Sequence, residues 1–284
     1  MSLQSVCRWF LEIALCGLVF STPTSAEEKL PPPFPHETEQ QVSRDTEPGD
    51  DLSVVLFERS EKPSGMWKFC TGFLVERQGK LSLITARHMA REFSARLRLG
   101  IPGPRPIWLD VSSIVEEGES WSHHLDADVS VLHLKDRLGN HEKALRGISL
   151  PFDALAFEPP PLRSEVEILG YPTMLGTWEN GEVAQFIIPA KVVSRMVTPP
   201  AEWKLTRSFL VTGGAAEGMS GGPVLVGRTP GAKVQCVGTY YGVLADRSGA
   251  KLSIIVPAQH IRELLVQGKS DDTEAAETEP QKKD

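Results

Sequence analysis

The chain has 284 residues, 40% of them hydrophobic and 24% charged, which is enough to bury a core in one large or two small domains. Its formal net charge is −7 and no basic patch stands out, which argues against nucleic acid as a partner. The 24 glycines and 22 prolines favour many short strands joined by turns over a helical bundle.

The first 26 residues have the pattern of an export signal. Arg8 gives a positive start, a mostly apolar run extends to Phe20, and small residues precede the expected cleavage after Ala26. We therefore expect a signal peptide at 1–26 and an exported protein (periplasmic, cell-envelope or secreted) without stable membrane insertion. Residues 27–51 are rich in Pro and Glu and predict an extended acidic linker.

From Leu52 to about residue 150, short apolar runs separated by turns predict a first all-β half. Apolar and polar residues alternate imperfectly within these runs, as expected when both faces of a strand are buried in a barrel. The predicted strands are 52–57, 71–76, 81–85, 96–100, 107–111 and 129–134.

A proline-dense connector at 151–162 precedes a second half of similar style, because prolines at this density cannot occupy a central strand. The predicted strands of the second half, which spans about 160–257, are 165–170, 186–189, 209–212, 224–227, 234–241 and 252–256. We therefore predict an all-β fold of two six-stranded-type β-barrels.

A helix at 257–267 is predicted to follow the last strand. Pro257 suits its first turn, Gly268 suits its end, and its apolar residues share one face: Ile261, Leu264 and Leu265. The charged residues 269–284 predict a disordered tail.

Cys70 and Cys236 are the cysteines outside the expected signal peptide. Export permits a disulfide between them, and two separately buried thiols fit the sequence equally well. The sequence contains no CxxC motif and no Cys/His cluster, so it does not support a zinc site.

A glycine-rich turn at 217–223 surrounds Ser220 and aims its hydroxyl outwards. Serine is a poor nucleophile unless a base takes its proton, so the chain must supply a histidine and an acid. His88 follows the end of a predicted strand, and Asp128 directly precedes another. Asp126 competes with Asp128 for the role of the acid.

Four segments resemble, in order, the markers of the chymotrypsin-like (trypsin-fold) serine peptidases. They are Thr71-Gly72-Phe73-Leu74-Val75, Ile84-Thr85-Ala86-Arg87-His88, Asp128-Val129-Ser130-Val131-Leu132 and Gly218-Met219-Ser220-Gly221-Gly222-Pro223. The resemblance covers roughly 52–267, is closer to the bacterial, cysteine-poor branch that includes the Deg-type peptidases, and implies a peptidase domain at 52–268. Deg-type enzymes usually carry a PDZ domain, which we do not expect after this helix.

The resemblance implies a role for each marker residue. Ser220 would attack the scissile carbonyl, His88 would carry its proton to the leaving amine, and Asp128 would orient the imidazole. The family places the acid directly before the apolar strand, which favours Asp128 over Asp126. The backbone N–H groups of Gly218 and Ser220 would form the oxyanion hole.

Two departures from the family pattern carry expectations. Animal members hold an aspartate just before the serine, which pairs with a freed N-terminus; Met219 stands there, so activation by that ion pair is not expected. Arg87 replaces the usual alanine before the histidine, and its charge is expected at the rim of the site.

Substrate contacts are also implied by resemblance. The specificity pocket would have its floor near Gly214 and Ala215, where no aspartate stands, so an apolar or small residue is expected before the cut. Tyr240, Tyr241 and Gly242 resemble the strand that pairs with the backbone of an extended substrate.

The first hypothesis is therefore an exported serine endopeptidase that acts on proteins or peptides and needs no metal or organic cofactor. The alternative is a catalytically inactive peptide-binding or scaffold protein on the same fold; a β-type adhesion module would leave the marker order unexplained. His123 and His124 could form a metal pair or an acid-sensing spot. Adjacent side chains on an extended chain point opposite ways, so a surface loop is favoured.

Overall fold

A computed structural model describes residues 52–59, 67–93, 97–101, 106–172, 185–198, 207–214, 216–228, 232–245 and 249–267. The expected signal peptide, linker and charged tail lie outside these residues. Within the described segments, no helix combines the length and apolar character needed to cross a bilayer.

The first half folds as a sheet that includes the strands predicted there. Its strands are β1 (Val54–Arg59), β2 (Trp67–Arg77), β3 (Lys80–Thr85), β4 (Arg98–Ile101), β5 (Ile107–Asp110), β6 (Ser122–His123), β7 (Ser130–His133) and β8 (Ser149–Pro151). The spatial order is β5-β4-β1-β2-β3-β7-β6, and β8 pairs in parallel with β2. The sheet has eight strands because two short ones, β6 and β8, extend the predicted set.

The second half is a six-stranded sheet whose ends meet. Its strands are β9 (Glu165–Gly170), β10 (Phe186–Lys191), β11 (Phe209–Thr212), β12 (Pro223–Val226), β13 (Gln235–Ala245) and β14 (Lys251–Pro257), in the order β10-β9-β12-β13-β14-β11. An antiparallel bridge between Val192 and Val211 joins the two outer strands, and the N–H of Val193 donates to the carbonyl of Leu210 at 2.9 Å. These bonds pair the sheet's open edges, as barrel closure requires. The prediction of an all-β double barrel with a C-terminal helix is confirmed.

The described helices are short apart from the last. They are α1 (Arg87–Ala90), α2 (Val111–Ile114), α3 (Glu142–Gly147) and α4 (Gln259–Gln267). Helix α4 begins at Gln259 rather than at the predicted Pro257, because Pro257 is the last residue of β14. The helix buries the three apolar residues predicted for its inner face. It is also attached to the connector, because Arg262 lies over the rings of Phe152 and Phe157 and donates to the carbonyl of Leu155 at 2.8 Å.

One hydrophobic cluster joins the two halves and the C-terminal helix. It contains Phe73 and Ile84 from the first sheet, Leu169 and Leu225 from the second, and Ile261 from α4, all fully buried. Two further clusters belong to one half each. Burial of apolar surface contributes about 25 cal/mol per Å² to the free energy of folding. The apolar surface buried between the two halves therefore stabilises their contact and holds them in a fixed arrangement.

Cys70 and Cys236 are separate, fully buried thiols. They belong to different hydrophobic clusters, so the disulfide that export would permit is not formed. Burial raises the pKa of each thiol from 9.0 to about 12. Both cysteines therefore act as small core residues rather than as reactive groups.

Candidate active site

His88 and Asp128 are brought together by the pairing of strands β3 and β7. These strands are antiparallel with Thr85 opposite Ser130, so the residues after Thr85 lie beside those before Ser130. His88 falls in the single turn of α1 that follows β3, and Asp128 lies two residues before β7 begins. Ordinary sheet register thus creates the contact across 40 positions of sequence.

The Asp128 carboxylate binds His88 through both oxygens. One oxygen lies 2.7 Å from the ring Nδ1, and the other accepts the backbone N–H of His88 at 2.9 Å. A carboxylate can only accept, so Nδ1 carries the proton and the neutral ring presents Nε2 without one. The Asp128 side chain is 9% exposed and that of His88 is 39% exposed, so the acid is covered while the imidazole stays accessible.

Residues 124–127, the loop that leads into Asp128 (the acid loop), are fixed by hydrogen bonds to their backbone groups. The Nδ1 atom of His124 accepts the N–H groups of Asp126 at 3.2 Å and Ala127 at 2.9 Å. Arg87 donates to the carbonyls of His124 at 2.7 Å and Leu125 at 2.8 Å, so its guanidinium binds this loop rather than only lining a rim. Asp126 itself is exposed and does not take part in the His88 contact.

Ser220 lies in the turn between two glycines with left-handed backbone. Gly218 has φ +94° and Gly221 has φ +86°, a region that L-residues with a side chain rarely adopt. The Ser220 hydroxyl donates to the carbonyl of Tyr241 at 3.2 Å. The Tyr241 ring in turn stands edge-on to the His88 ring, with centroids 5.4 Å apart. Tyr241 therefore contacts both side chains, although among the described residues no hydrogen bond joins Ser220 to His88.

Thr71 is a fully buried residue of the first half. It binds the glycine-rich turn at 217–223 of the second half, called the serine turn below. Its hydroxyl donates to the carbonyl of Gly218 at 2.9 Å, and its N–H donates to the carbonyl of Ser220 at 3.0 Å. The same hydroxyl accepts the N–H of Tyr171 at 3.0 Å. Sequence reasoning used Thr71 only as part of a family marker and did not identify this role.

Met219 is fully buried in the core of the second half, which suits its apolar side chain. Its N–H donates to the carbonyl of Ala216 at 3.2 Å, and its carbonyl accepts the N–H of Gly222 at 2.9 Å. The methionine therefore anchors the turn by packing, where an aspartate would need a charged partner.

The residues expected to contact substrate divide into three groups. Gly214 is exposed and Gly242 is bordered by open space, while Ala215 lies outside the described residues. Tyr240 is 2% exposed, so its ring belongs to the core, and burial raises its pKa to about 12. Tyr241 is half-buried, and burial followed by the nearby Asp128 charge raises its pKa.

Tyr240 is thus a support for the serine turn rather than a side chain that contacts substrate. Its carbonyl accepts the N–H of Gly221 and its N–H donates to the carbonyl of Gly222, both at 2.9 Å. A bulge in β13 between Tyr240 and Gly242 places Tyr241 out of register with β14. Bulges re-aim side chains in this way, and the run of two tyrosines alone does not reveal one.

The two adjacent histidines have different partners, as expected for an extended chain, but they do not lie in the expected surface loop. His123 ends β6, and the side chain of His124 is 14% exposed. His123 bonds the hydroxyl of Ser130 at 2.6 Å, whereas His124 bonds the carboxylate of Glu263 on α4 at 2.8 Å. His260, also on α4, bonds the same carboxylate oxygen at 2.9 Å. Burial alone would raise the pKa of Glu263, but hydrogen bonds from the two histidines and Gln259 lower it, so the group is a carboxylate.

A match to one family model, over most of the chain, agrees with the fold. The family model described as Trypsin matches residues 43–265. No curated protein matches the chain. The solved structures similar to it include the active form of the Rv3671c protease of M. tuberculosis, with 20% identity over 76% of this chain and 80% of that chain, and a TM-score of 0.49. An inactive form of that protease has 16% identity, coverage of 76% and 89%, and a TM-score of 0.48.

Proposed function

The chain belongs to the trypsin family, whose members are chymotrypsin-like serine peptidases, and from this premise we propose that it is a serine endopeptidase using His88, Asp128 and Ser220. Family membership supports peptide bonds in proteins as the substrate class. The observation that carries the assignment of residues is the two-oxygen contact of Asp128 with His88. Tyr241 lies against the His88 ring and accepts the Ser220 hydroxyl. An imidazole held in this tautomer is the base that a serine nucleophile requires.

The proposed reaction begins with a rotation of the Ser220 side chain. Its hydroxyl leaves the carbonyl of Tyr241 and turns to Nε2 of His88, a movement in keeping with the looser catalytic hydrogen bonds of substrate-free enzymes. Nε2 takes the proton as the serine oxygen attacks the carbonyl, and then gives that proton to the leaving amine. The Asp128 carboxylate stabilises the imidazolium throughout.

The hydrogen bonds of the serine turn support an oxyanion hole at Gly218 and Ser220. The carbonyls of Gly218 and Ser220 accept hydrogen bonds from Thr71, and these bonds fix the backbone of the turn. The carbonyl of Met219, which shares a peptide unit with the Ser220 N–H, accepts the N–H of Gly222 within the turn. In the part of the chain that the structure describes, the N–H groups of Gly218 and Ser220 have no hydrogen-bond acceptor. Two such donors, fixed before substrate arrives, suit a developing negative charge, and removing one typically costs about 10²–10³-fold in rate.

We propose that the substrate binds as an extended strand beside Tyr241 and Gly242, with its scissile carbonyl between Ser220 and His88. The open space at Gly242 leaves room for a second backbone to approach. The exposed Gly214 carries no charge, which supports an apolar or small residue before the cut. Export through a signal peptide at 1–26, ahead of a peptidase domain at 52–268, is part of the same proposal.

A serine-reactive fluorophosphonate probe tests the catalytic assignment. We expect the wild-type protein to be labelled, and labelling to disappear in Ser220→Ala and in His88→Ala, because only an activated serine attacks the probe. Circular dichroism and urea unfolding of each variant show that the fold is retained. A correctly folded wild type that never labels would identify the alternative, an inactive peptide-binding protein on the same fold. Its peptide affinity could then be measured by fluorescence anisotropy.

The oxyanion hole gives a second, independent prediction at Thr71. Thr71→Val removes the hydroxyl that fixes the Gly218 carbonyl, so we expect kcat to fall about tenfold or more while KM changes little. The variant should also lose about 1–3 kcal/mol of stability, because Gly218 and Tyr171 each lose a buried partner. Thr71→Ser keeps the hydroxyl and should retain most of kcat. Equal losses of kcat in the two variants would contradict a role for the hydroxyl.

A further inference from the structure

Three side chains that the proposed peptidase reaction does not use converge between the acid loop and the C-terminal helix. They are His124, His260 and Glu263, and their ligand-capable atoms all lie within 4.8 Å of one another. Both histidines direct a ring nitrogen at the same carboxylate oxygen, and their ring centroids are 4.6 Å apart. The two histidines therefore converge on one atom, a carboxylate oxygen of Glu263.

The chemistry of the cluster suits a borderline-soft divalent cation. Two imidazole nitrogens and one carboxylate form a set that Zn²⁺ binds in many proteins, with a fourth position left to water. His260 and Glu263 stand three residues apart on α4 and so share one helix face. Gln259 donates to the other carboxylate oxygen at 2.7 Å, which orients Glu263 as an outer-shell residue orients a metal ligand.

We propose that His124, His260 and Glu263 bind Zn²⁺, and that the bound ion lowers peptidase activity by loosening the loop that carries Asp128. The second part of this inference rests on the proposed function, whereas the first part does not.

The coupling follows from the two nitrogens of His124. In the structure Nδ1 accepts two backbone N–H groups, so the ring proton is on Nε2, where it bonds Glu263. A neutral imidazole that binds a metal through Nε2 carries its proton on Nδ1 instead. Zinc binding therefore moves the His124 proton from Nε2 to Nδ1 through solvent. His260, whose Nδ1 donates to the same carboxylate oxygen, must likewise move its proton from Nδ1 to Nε2, so the net charge of neither histidine changes.

This change of tautomer is incompatible with the loop as it stands. A protonated Nδ1 faces the N–H groups of Asp126 and Ala127, so donor meets donor and both hydrogen bonds are lost. Ala127 directly precedes Asp128 in the chain, and small displacements of catalytic groups have large effects: about 1 Å can cost about 10²-fold in rate. Arg87 still holds the loop carbonyls, so the loop is expected to shift rather than to unfold.

Calorimetric titration with zinc chloride tests the site without any need for activity. We expect the wild-type protein and the His88→Ala variant to bind one ion with the same Kd, which excludes the catalytic histidine as the ligand. His260→Gln and Glu263→Gln should each weaken binding at least about tenfold. Magnesium chloride is the control ion, since Mg²⁺ prefers an all-oxygen site. A wild type that does not bind zinc, or a His260→Gln variant with unchanged Kd, would overturn the site and leave a plain hydrogen-bonded clamp.

The rate of fluorophosphonate labelling tests the coupling. With zinc at ten times its Kd, the wild-type rate should fall at least about tenfold and recover when a chelator is added. The rate of His260→Gln, compared with its own zinc-free value, should stay within about twofold at the same zinc concentration. Zinc that binds at this cluster without changing the labelling rate would overturn the coupling alone. A protein that binds zinc but is never labelled would instead refute the proposed function.

Discussion

The Asp128→Asn variant is expected to lose about 10⁴-fold in kcat with little change in KM. An amide at this position can still accept the backbone N–H of His88 through its oxygen, so the local fold should persist. Its NH₂ group, however, donates to Nδ1, which forces the ring proton onto Nε2 and removes the base that Ser220 needs. Initial rates with a fluorogenic peptide, together with urea unfolding curves, separate this chemical effect from a loss of structure.

Asp126→Asn is the matched control because it makes the same chemical change two residues away. The Asp126 side chain is exposed. The backbone N–H of this residue donates to Nδ1 of His124, and asparagine retains that hydrogen bond. Its kcat should stay within about twofold of wild type, as surface substitutions usually have small effects. If Asp126→Asn instead cost as much as Asp128→Asn, the assignment of the acid would be wrong.

The pattern of the sequence predicts the strands well because the signal for a strand is local. Short apolar runs bounded by glycine and proline mark β9 and β11 at their observed limits, and the helix face of α4 follows from a spacing of three and four residues. The His88–Asp128 contact can also be predicted from the sequence, because a histidine after one strand and an aspartate before its antiparallel neighbour meet at the same end of a sheet.

Other parts of the site depend on contacts that no local pattern reveals. The bond between His124 and Glu263 joins residues 139 positions apart, and the clamp from Thr71 to Gly218 joins residues 147 apart. The sequence predicts the Arg87 charge at the rim of the site. It does not reveal the carbonyl groups of His124 and Leu125 that Arg87 binds, because they are 37 and 38 positions away. From the sequence alone, Tyr240 and Tyr241 have the same predicted role. The bulge in β13, which gives their side chains different surroundings, is not visible in a run of two tyrosines.

The clamp from Thr71 to Gly218 lies where the two halves meet. The first half supplies the proposed base and acid, His88 and Asp128, together with Thr71, and the second half supplies the serine turn. Geometry at the site is therefore set by how closely the turn approaches the first sheet. Gly221 is a residue of the turn at which an added Cβ would meet atoms of the first half.

Gly221→Ala is expected to destabilise the protein by about 2–5 kcal/mol and to lower kcat at least about 10²-fold. The left-handed backbone at φ +86° costs a residue with a Cβ about 1–2 kcal/mol, and overpacking a core adds about 1–3 kcal/mol. A Cβ here would overlap the carbonyl oxygen of Thr71 and the hydroxyl of Thr85, and would lie 2.7 Å from the N of Ala86. Since two of these atoms are backbone, the serine turn must move away from His88, which accounts for the loss of rate.

Gly79→Ala separates the two contributions. Gly79 has φ +80° in the β2–β3 turn, nearly the backbone of Gly221, but a Cβ there would meet no atom within 4 Å. Its cost in urea unfolding should therefore be the backbone term alone, about 1–2 kcal/mol, with kcat unchanged. The difference between the two variants measures how tightly the halves are docked at the serine turn. If Gly79→Ala and Gly221→Ala had equal free energies of unfolding, or if Gly221→Ala kept full kcat, the serine turn would be able to move away from the first sheet without disturbing the site.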